Sequence, residues 1–189
     1  MLVMRWLGFG LLLGSLWLGA GPAAADNNER KVALDRLLAA LQVAPTEQDA
    51  ALLEAHITEM WLRAGSPAVT LLMSRGMRDL KAGISQDALE DFSSALALDP
   101  NLAEAYHRRA LARYALGDVE GALRDIEETL RHEPREFAAL QSLSHIAEER
   151  RDWKGAYAAW KKVLELDPKT AGGEERLHDL RRRAFGEET

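Results

Sequence analysis

The sequence of 189 residues contains no cysteine. A chain without thiols forms no disulfides, offers no thiolate to a metal and performs no thiol redox chemistry. It also lacks the cysteine to which a bacterial lipid anchor is attached. Because no covalent cross-link is available, the fold must be stabilised by packing alone.

Basic residues are in the minority, with 24 lysines and arginines against 30 aspartates and glutamates, which gives a formal net charge of −6. A surface of this sign repels phosphate backbones and anionic lipid head groups. We therefore expect no nucleic-acid partner.

Catalytic motifs are also lacking: the sequence has no HExxH, nucleophile elbow, phosphate loop or dinucleotide fingerprint. The histidines are scattered over separate predicted helices: His56, His107, His132, His145 and His178. We expect a protein that is not an enzyme and that needs no cofactor or metal. The alternative is a metal site formed by His107, His145 and Glu148.

The first 25 residues have the layout of a secretory signal peptide. Arg5 is their only charge, residues 6–20 are apolar apart from Ser15, and small residues precede Asp26. We predict cleavage between Ala25 and Asp26 and a periplasmic mature protein. The alternative is an uncleaved membrane anchor, because 20 uncharged residues are close to the length that spans a bilayer. A membrane association is expected only in that case.

Prolines are few, but Pro100, Pro134 and Pro168 stand 34 residues apart. Alignment on these prolines places similar residues in register over residues 69–168. One column holds small residues, one holds alanine and one, a helical turn later, holds large apolar residues. These columns are Gly76, Ala110 and Ser144; Ala88, Ala122 and Ala156; and Phe92, Ile126 and Trp160. Small residues opposite large ones indicate helices that pack closely in pairs.

The spacing and the residue types resemble the tetratricopeptide repeat, a 34-residue pair of antiparallel helices. The resemblance implies an all-α fold, a right-handed superhelical solenoid of antiparallel helix pairs. It places three repeats at residues 67–100, 101–134 and 135–168. The eleventh position departs from the family pattern, because Asp79, Arg113 and Ala147 stand where an aromatic residue is usual.

The segments before and after the repeats have helical patterns of their own. Residues 26–66 carry two apolar stripes separated by Pro45 and a Thr46–Asp49 capping signal, which predicts a hairpin that acts as an N-terminal cap. The alternative is a docking element for another protein, which would leave Trp61 exposed. Residues 169–189 are predicted to form a capping helix and tail.

Turn residues divide each repeat into two helices. Gly83 and Gly117 suit the left-handed conformation that closes a first helix. We predict that Ser85, Asp118 and Asp152 cap the second helices.

Two repeats carry a charge pair at matching positions. Arg75 and Arg109 lie in first helices, and Asp91 and Asp125 lie in second helices. The third repeat has apolar residues at both positions. This joint loss predicts structural salt bridges within one helix pair and no catalytic dyad.

The resemblance also implies a binding surface, formed by first-helix positions that face a concave groove. These positions are Met73, Met77, Leu80, His107, Arg108, Leu111, Tyr114, Gln141, His145 and Glu148. The two methionines suit an apolar peptide segment, unless the N-terminal hairpin covers them. The lysines and asparagine of the carboxylate clamp, which holds the tails of cytosolic chaperones, are absent from these positions.

We therefore expect a non-enzymatic scaffold in the periplasm that binds a peptide or a protein segment in its groove. The alternative is a holdase-like factor for envelope or cytochrome assembly, and a metal-binding protein or enzyme is the remaining possibility. The partner and the oligomeric state are not specified by the sequence.

Overall fold

The computed structural model describes the backbone of residues 22–186 and the side chains from residue 28 onward. Residues 1–21 of the predicted signal peptide and the last three residues lie outside the described part. Within it the chain forms only helices: α1 (Pro22–Gln42), α2 (Glu47–Leu62), α3 (Pro67–Lys81), α4 (Ser85–Leu98), α5 (Ala103–Ala115), α6 (Val119–His132), α7 (Phe137–Glu149), α8 (Trp153–Leu166) and α9 (Gly173–Phe185). None of these helices has the length and apolar character needed to cross a membrane. Residues from Leu34 onward form one compact unit.

The three predicted repeats are three helix pairs, α3 with α4, α5 with α6 and α7 with α8. The pairs stack in chain order, because α4 contacts α5 and α6 contacts α7, while α9 covers α8. The prediction of an all-α repeat solenoid is confirmed.

The columns of small and large residues form the interior of the pairs. Ala88, Ala122 and Ala156 are completely buried. A Cβ atom at Gly76 would lie 2.8 Å from the ring of Phe92, so only glycine leaves room for this ring. The repeat register read from the prolines therefore locates the core.

Left-handed residues end the first helix of each pair. Gly83 and Gly117 have φ angles of 78° and 82°, as predicted. The third repeat has Arg151 at the equivalent position, with φ 60°, a conformation that an L-residue rarely adopts.

Two of the three predicted capping residues are confirmed. Asp118 accepts a hydrogen bond from the Gly121 N–H (2.9 Å), and Asp152 accepts one from the Gly155 N–H (3.0 Å). The prediction for Ser85 is wrong: α4 begins at Ser85 itself and has no side-chain cap. The reason is the register, since Ile84 and not Ser85 lies 34 residues before Asp118.

The charge pairs are salt bridges between the helices of one pair, as predicted. Arg75 Nε donates to Asp91 at 2.5 Å. Arg109 donates to both oxygens of Asp125, at 2.9 and 2.7 Å. Both aspartates are nearly buried. Fixed in this way, these charges join two helices and do not face a substrate.

The two N-terminal helices share one apolar cluster, and Thr46 caps α2 by accepting from the Asp49 N–H at 3.1 Å. Their apolar residues pack on the second half of the chain, against Phe137 and Leu166. Trp61 is buried there, with its ring centroid 5.5 Å from that of Phe137. These helices therefore reach well beyond the outer end of the first repeat, where a simple cap would lie.

Candidate functional site

The groove formed by the first helices of the repeats contains α2. Near its start, Glu47, Ala51 and Glu54 line a cleft of about 440 Å³ whose opposite wall includes α7. Near its end, Leu62 packs on the apolar cluster that contains Met73. Helix α2 also contacts α5, and Trp61 of α2 lies against Phe137 of α7. Helix α2 therefore lies against the first helices of the second and third repeats, and its end lines a cleft together with α3.

Most of the predicted groove residues are only partly accessible in this arrangement. His145 is exposed, while the following residues are half-buried: Met77, Leu80, Arg108, Leu111, Tyr114, Gln141 and Glu148. Gln141 and His145 line the cleft beside α2. Their predicted contact with a partner stays a prediction.

Met73 and His107, at the fifth position of their helices, are almost completely buried. Their exposed fractions are 1% and 2%. The physical reason is that this position points towards the residue two places after the proline that ends the same repeat. Met73 shares an apolar cluster with Leu102, and His107 pairs with Glu136. With α2 in this position neither residue is accessible to a partner, and their predicted contact with a partner stays a prediction.

The metal set considered from the sequence is not assembled. His145 lies 3.5 Å from Glu149 and Glu148 pairs with Arg176, and neither residue joins His107 in a group of potential metal ligands in the described chain. The side chains around His107 are Glu104 on its own helix and Glu136 just before α7. Within the described chain, His107 is the one member of that set that belongs to a group of three potential metal ligands.

These three side chains, Glu104, His107 and Glu136, form what we call the buried triad. Nδ1 of His107 lies 3.0 Å from Oε1 of Glu136 and 4.0 Å from Oε2 of Glu104. No residue of the triad is more than 2% exposed. Nevertheless Nδ1, both oxygens of Glu136 and Oε2 of Glu104 make no hydrogen bond of acceptable geometry. Buried polar atoms are rarely left in this state, because the loss of hydration is then uncompensated.

The other atoms of the triad have partners. Arg108 Nε donates to Oε1 of Glu104 at 2.5 Å. Nε2 of His107 lies 3.0 Å from the hydroxyl oxygen of Ser142. Because Ser142 donates its own proton to the Ala138 carbonyl (3.0 Å), it accepts from His107, and the Nε2 atom carries a proton. In neutral histidine the Nδ1 lone pair then points into the triad.

Burial and charge act in opposite directions on the triad. Burial lowers the pKa of His107, but the interactions of the nearby Glu104 and Glu136 carboxyl groups with the ring raise this pKa to about 9. Burial raises the pKa of Glu136 to about 7. Burial also raises the pKa of Glu104, but His107 and Arg108 more than offset this and leave the pKa lowered. The triad therefore retains its protons on Glu136 and His107 into the neutral range.

A second carboxyl pair joins α2 to the repeats. Burial and the neighbouring Asp167 raise the pKa of Glu54 to about 7. Asp167 is buried, with Oδ2 unpartnered and Oδ1 accepting from the Lys169 N–H at 3.2 Å. Protonated Glu54 can supply the missing donor, whereas two carboxylates repel each other.

This pair predicts that the docked position of α2 is more stable in acid. The pKa of Glu54 is above its ordinary value of 4.5, so its contribution is complete below pH 4.5 and is lost as the pH rises to about 7. We expect a loss of about 1–2 kcal/mol between pH 4.5 and 8, reduced from the full shift because the carboxyl is partly solvated. The measurement is urea unfolding across this range. In Glu54→Gln, which is neutral and can donate to Asp167, this part of the pH dependence should disappear; an identical dependence in both proteins would contradict the assignment.

Sequence reasoning missed Glu104 and Glu136 as potential functional residues. A usable signal exists in the repeat register: Glu136 occupies the position that holds Leu102 in the first repeat and Thr170 in the third. An acidic residue at a position that is apolar or neutral elsewhere marks a departure from simple packing. The location of α2 has no such signal, because its apolar stripe suits either a cap or a groove.

Known proteins support the repeat assignment. No protein-family model matches the sequence. A TPR repeat-containing protein of Rhizobium etli is 28% identical over 159 residues, which are 84% of this chain and 78% of the relative. Tetratricopeptide repeat protein 36 of Mus musculus is 49% identical over 53 residues, which are only 28% of either chain.

Solved structures share the fold. The first TPR of Spaghetti (RPAP3), bound to the HSP90 peptide SRMEEVD, has a TM-score of 0.58 at 19% identity, over 62% of this chain and 94% of that one. The Sgt2 TPR domain from Aspergillus fumigatus has a TM-score of 0.57 at 24% identity, over 62% and 80%. Stacked helix pairs with these neighbours define a helical-repeat solenoid. Within that class, the chain is similar to tetratricopeptide repeat proteins.

Proposed function

We propose that this chain is a non-enzymatic protein-interaction scaffold of the bacterial periplasm, and that its groove binds a helical segment of a partner in place of α2. The observation behind the proposal is the location of α2, which contacts α5 and α7 and lines a cleft together with α3. A groove that accommodates one amphipathic helix has the shape and the apolar contacts to accommodate another.

The chemistry of the groove favours an apolar helical ligand. The Spaghetti domain is described as bound to a peptide that ends in EVD. Here the clamp lysines and asparagine are absent, and Met73 and His107 are buried. The contacts that hold α2 are instead largely apolar, with Ile57 and Trp61 in one cluster with Phe137. A partner helix with a similar apolar stripe would reuse these contacts.

Photocrosslinking in living cells tests the groove. A benzophenone amino acid would replace His145, which is exposed and lines the cleft beside α2, or Leu98, a 60% exposed residue on α4. We expect one dominant adduct from position 145 and none from position 98. The yield should rise several-fold when Trp61→Ala weakens the docking of α2. Equal adducts from both positions, or a yield that Trp61→Ala does not change, would argue against exchange with α2.

The periplasmic part of the proposal rests on the layout of residues 1–25 and has its own test. N-terminal sequencing of the protein from a periplasmic fraction should begin at Asp26. A chain that keeps Met1 and stays in the membrane or the cytoplasm would refute the location and leave the groove assignment unaffected.

A further inference from the structure

We propose that the buried triad, Glu104, His107 and Glu136, is a binding site for one divalent transition-metal ion, zinc being the best match. The proposal rests on buried atoms without hydrogen-bond partners, on the spacing of these atoms and on the hydrogen bond that orients the histidine ring. It is independent of the proposed peptide groove.

The buried atoms that lack hydrogen-bond partners lie in one place, where a single bound ion could contact them. His107 is 98% buried and Glu136 is completely buried, yet Nδ1 of the first and both oxygens of the second lack hydrogen-bond partners. Oε2 of Glu104 is unpartnered in the same place. One nitrogen and two carboxylate oxygens are a ligand set that zinc accepts, and a bound ion would satisfy all of them at once.

The spacing of the ligand atoms suits a small ion. One ligand atom from each residue lies within 4.8 Å of the other two. Zinc bonds of about 2.1 Å in a tetrahedron hold neighbouring ligand atoms roughly 3.4 Å apart. The observed separations from Nδ1, 3.0 Å to Glu136 and 4.0 Å to Glu104, lie on either side of this value. Small side-chain movements would bring all three atoms into a coordination shell.

The histidine is oriented as metal ligands usually are. Its Nε2 atom carries a proton towards the Ser142 hydroxyl, so Nδ1 is the ring nitrogen left for an ion. An ion that binds Nδ1 displaces the proton that this atom carries in the charged ring. Such an outer hydrogen bond commonly fixes the ring of a metal-bound histidine. Arg108 plays the corresponding role for Glu104, because it binds Oε1 and leaves Oε2 to the ion. Ser142 also lines the cleft beside α2, so the triad lies directly behind the wall of that cleft.

The other two repeats show that the fold does not require these charges. The positions of His107 and Glu136 are filled by Met73 and Leu102 in the first repeat. In the third repeat they are filled by Gln141 and Thr170, whose side chains are 3.5 Å apart. The position of Glu104 holds Ala138 in the third repeat. Neutral side chains at these positions therefore pack in this fold. Packing alone does not explain why the second repeat has ionisable side chains there.

The donor set distinguishes zinc from other divalent ions. Calcium takes six to eight oxygen ligands and magnesium keeps an octahedron of oxygen and water, neither of which three buried side chains supply. Imidazole with carboxylate is typical of zinc and neighbouring transition metals. A water molecule or the second oxygen of Glu136 would complete the shell. Because Glu104 and His107 belong to α5 and Glu136 precedes α7, the ion would connect the second repeat to the third.

Calorimetry with zinc chloride tests the site on protein that has no polyhistidine tag and has been stripped of metal by a chelator. We expect one ion per chain, and cobalt should give the visible absorption of a four-coordinate site. The matched variant is Glu104→Ala/His107→Gln/Glu136→Thr, which installs the residues of the third repeat. It should bind zinc at least 100-fold more weakly, while His178→Gln, a change at an exposed histidine, should bind as the original chain does.

Thermal unfolding adds a readout that a purely structural triad would not move. Zinc at a hundred times its Kd should raise the unfolding temperature of the original chain by roughly 5–10 °C and leave the triple variant unchanged. If the triple variant does not fold, Glu136→Gln replaces it, with at least tenfold weaker binding expected at an unchanged circular dichroism spectrum. Absence of saturable binding at micromolar zinc, or equal affinity in the matched variant, would overturn the proposal and leave the triad a buried ion-pair network.

Discussion

Replacing Phe92 with alanine is expected to lower the free energy of unfolding by about 3–5 kcal/mol. The ring is completely buried in the first helix pair and lies against Gly76, whose missing Cβ leaves the space that the ring fills. The alanine would leave a cavity that Gly76 cannot fill, so the apolar transfer energy and the packing contacts are both lost. Urea unfolding followed by far-ultraviolet circular dichroism measures the change.

The matched control for Phe92 is Leu71→Ala in the same repeat. Leu71 is 71% exposed, so its truncation should change the free energy of unfolding by less than about 0.5 kcal/mol. If Phe92→Ala cost less than about 1 kcal/mol, the small and large columns would not be the packing core of the repeats.

The second large effect is expected from Trp61→Ala, and it should be local. Trp61 is buried against Phe137, so its removal should cost about 3–5 kcal/mol in contacts between the N-terminal hairpin and the repeats. Because α2 is joined to the repeats through such contacts, we expect it to undock while the helix pairs stay folded. Hydrogen exchange of α2 should then accelerate by a factor of about 10²–10³, and exchange of α6 and α8 should change little.

Leu52→Ala is the control on the same helix, since Leu52 is 67% exposed and should leave the exchange of α2 unchanged. A uniform acceleration in α2, α6 and α8 would mean that the hairpin and the repeats unfold as one unit. No acceleration anywhere would mean that Trp61 does not hold α2 in place.

The sequence predicted the repeats well because residues that recur every 34 positions mark the ends and the packing faces of their helices. Pro100, Pro134 and Pro168 define the register, and the register located the buried alanines and the Arg75–Asp91 and Arg109–Asp125 salt bridges. Helix pairing within a repeat is local in sequence, so pattern and contact coincide. The error at Ser85 came from reading a capping residue by type instead of by register.

The binding surface was less predictable because it depends on contacts that are distant in the sequence. Nothing local to α2 indicates that Trp61 reaches Phe137, 76 positions later, or that Glu54 faces Asp167. The triad also depends on contacts between distant parts of the sequence. Glu104 and His107 lie on α5, whereas Glu136 lies just before α7. Positional transfer from a family assigns the side of a helix, but it does not reveal what another segment of the same chain places there.

Because α2 occupies the groove, a partner must bind tightly enough to displace it. A tethered helix competes at an effective concentration on the order of millimolar, however dilute the protein is. If the docked form outweighs the open form by roughly a thousandfold, a partner with an intrinsic Kd of about 1 nM would show an apparent Kd of about 1 μM. Partners of low affinity would therefore not displace α2. A change in pH or in the contacts of Trp61 would alter the docking of α2 and so change the apparent affinity of every ligand of the groove by the same factor.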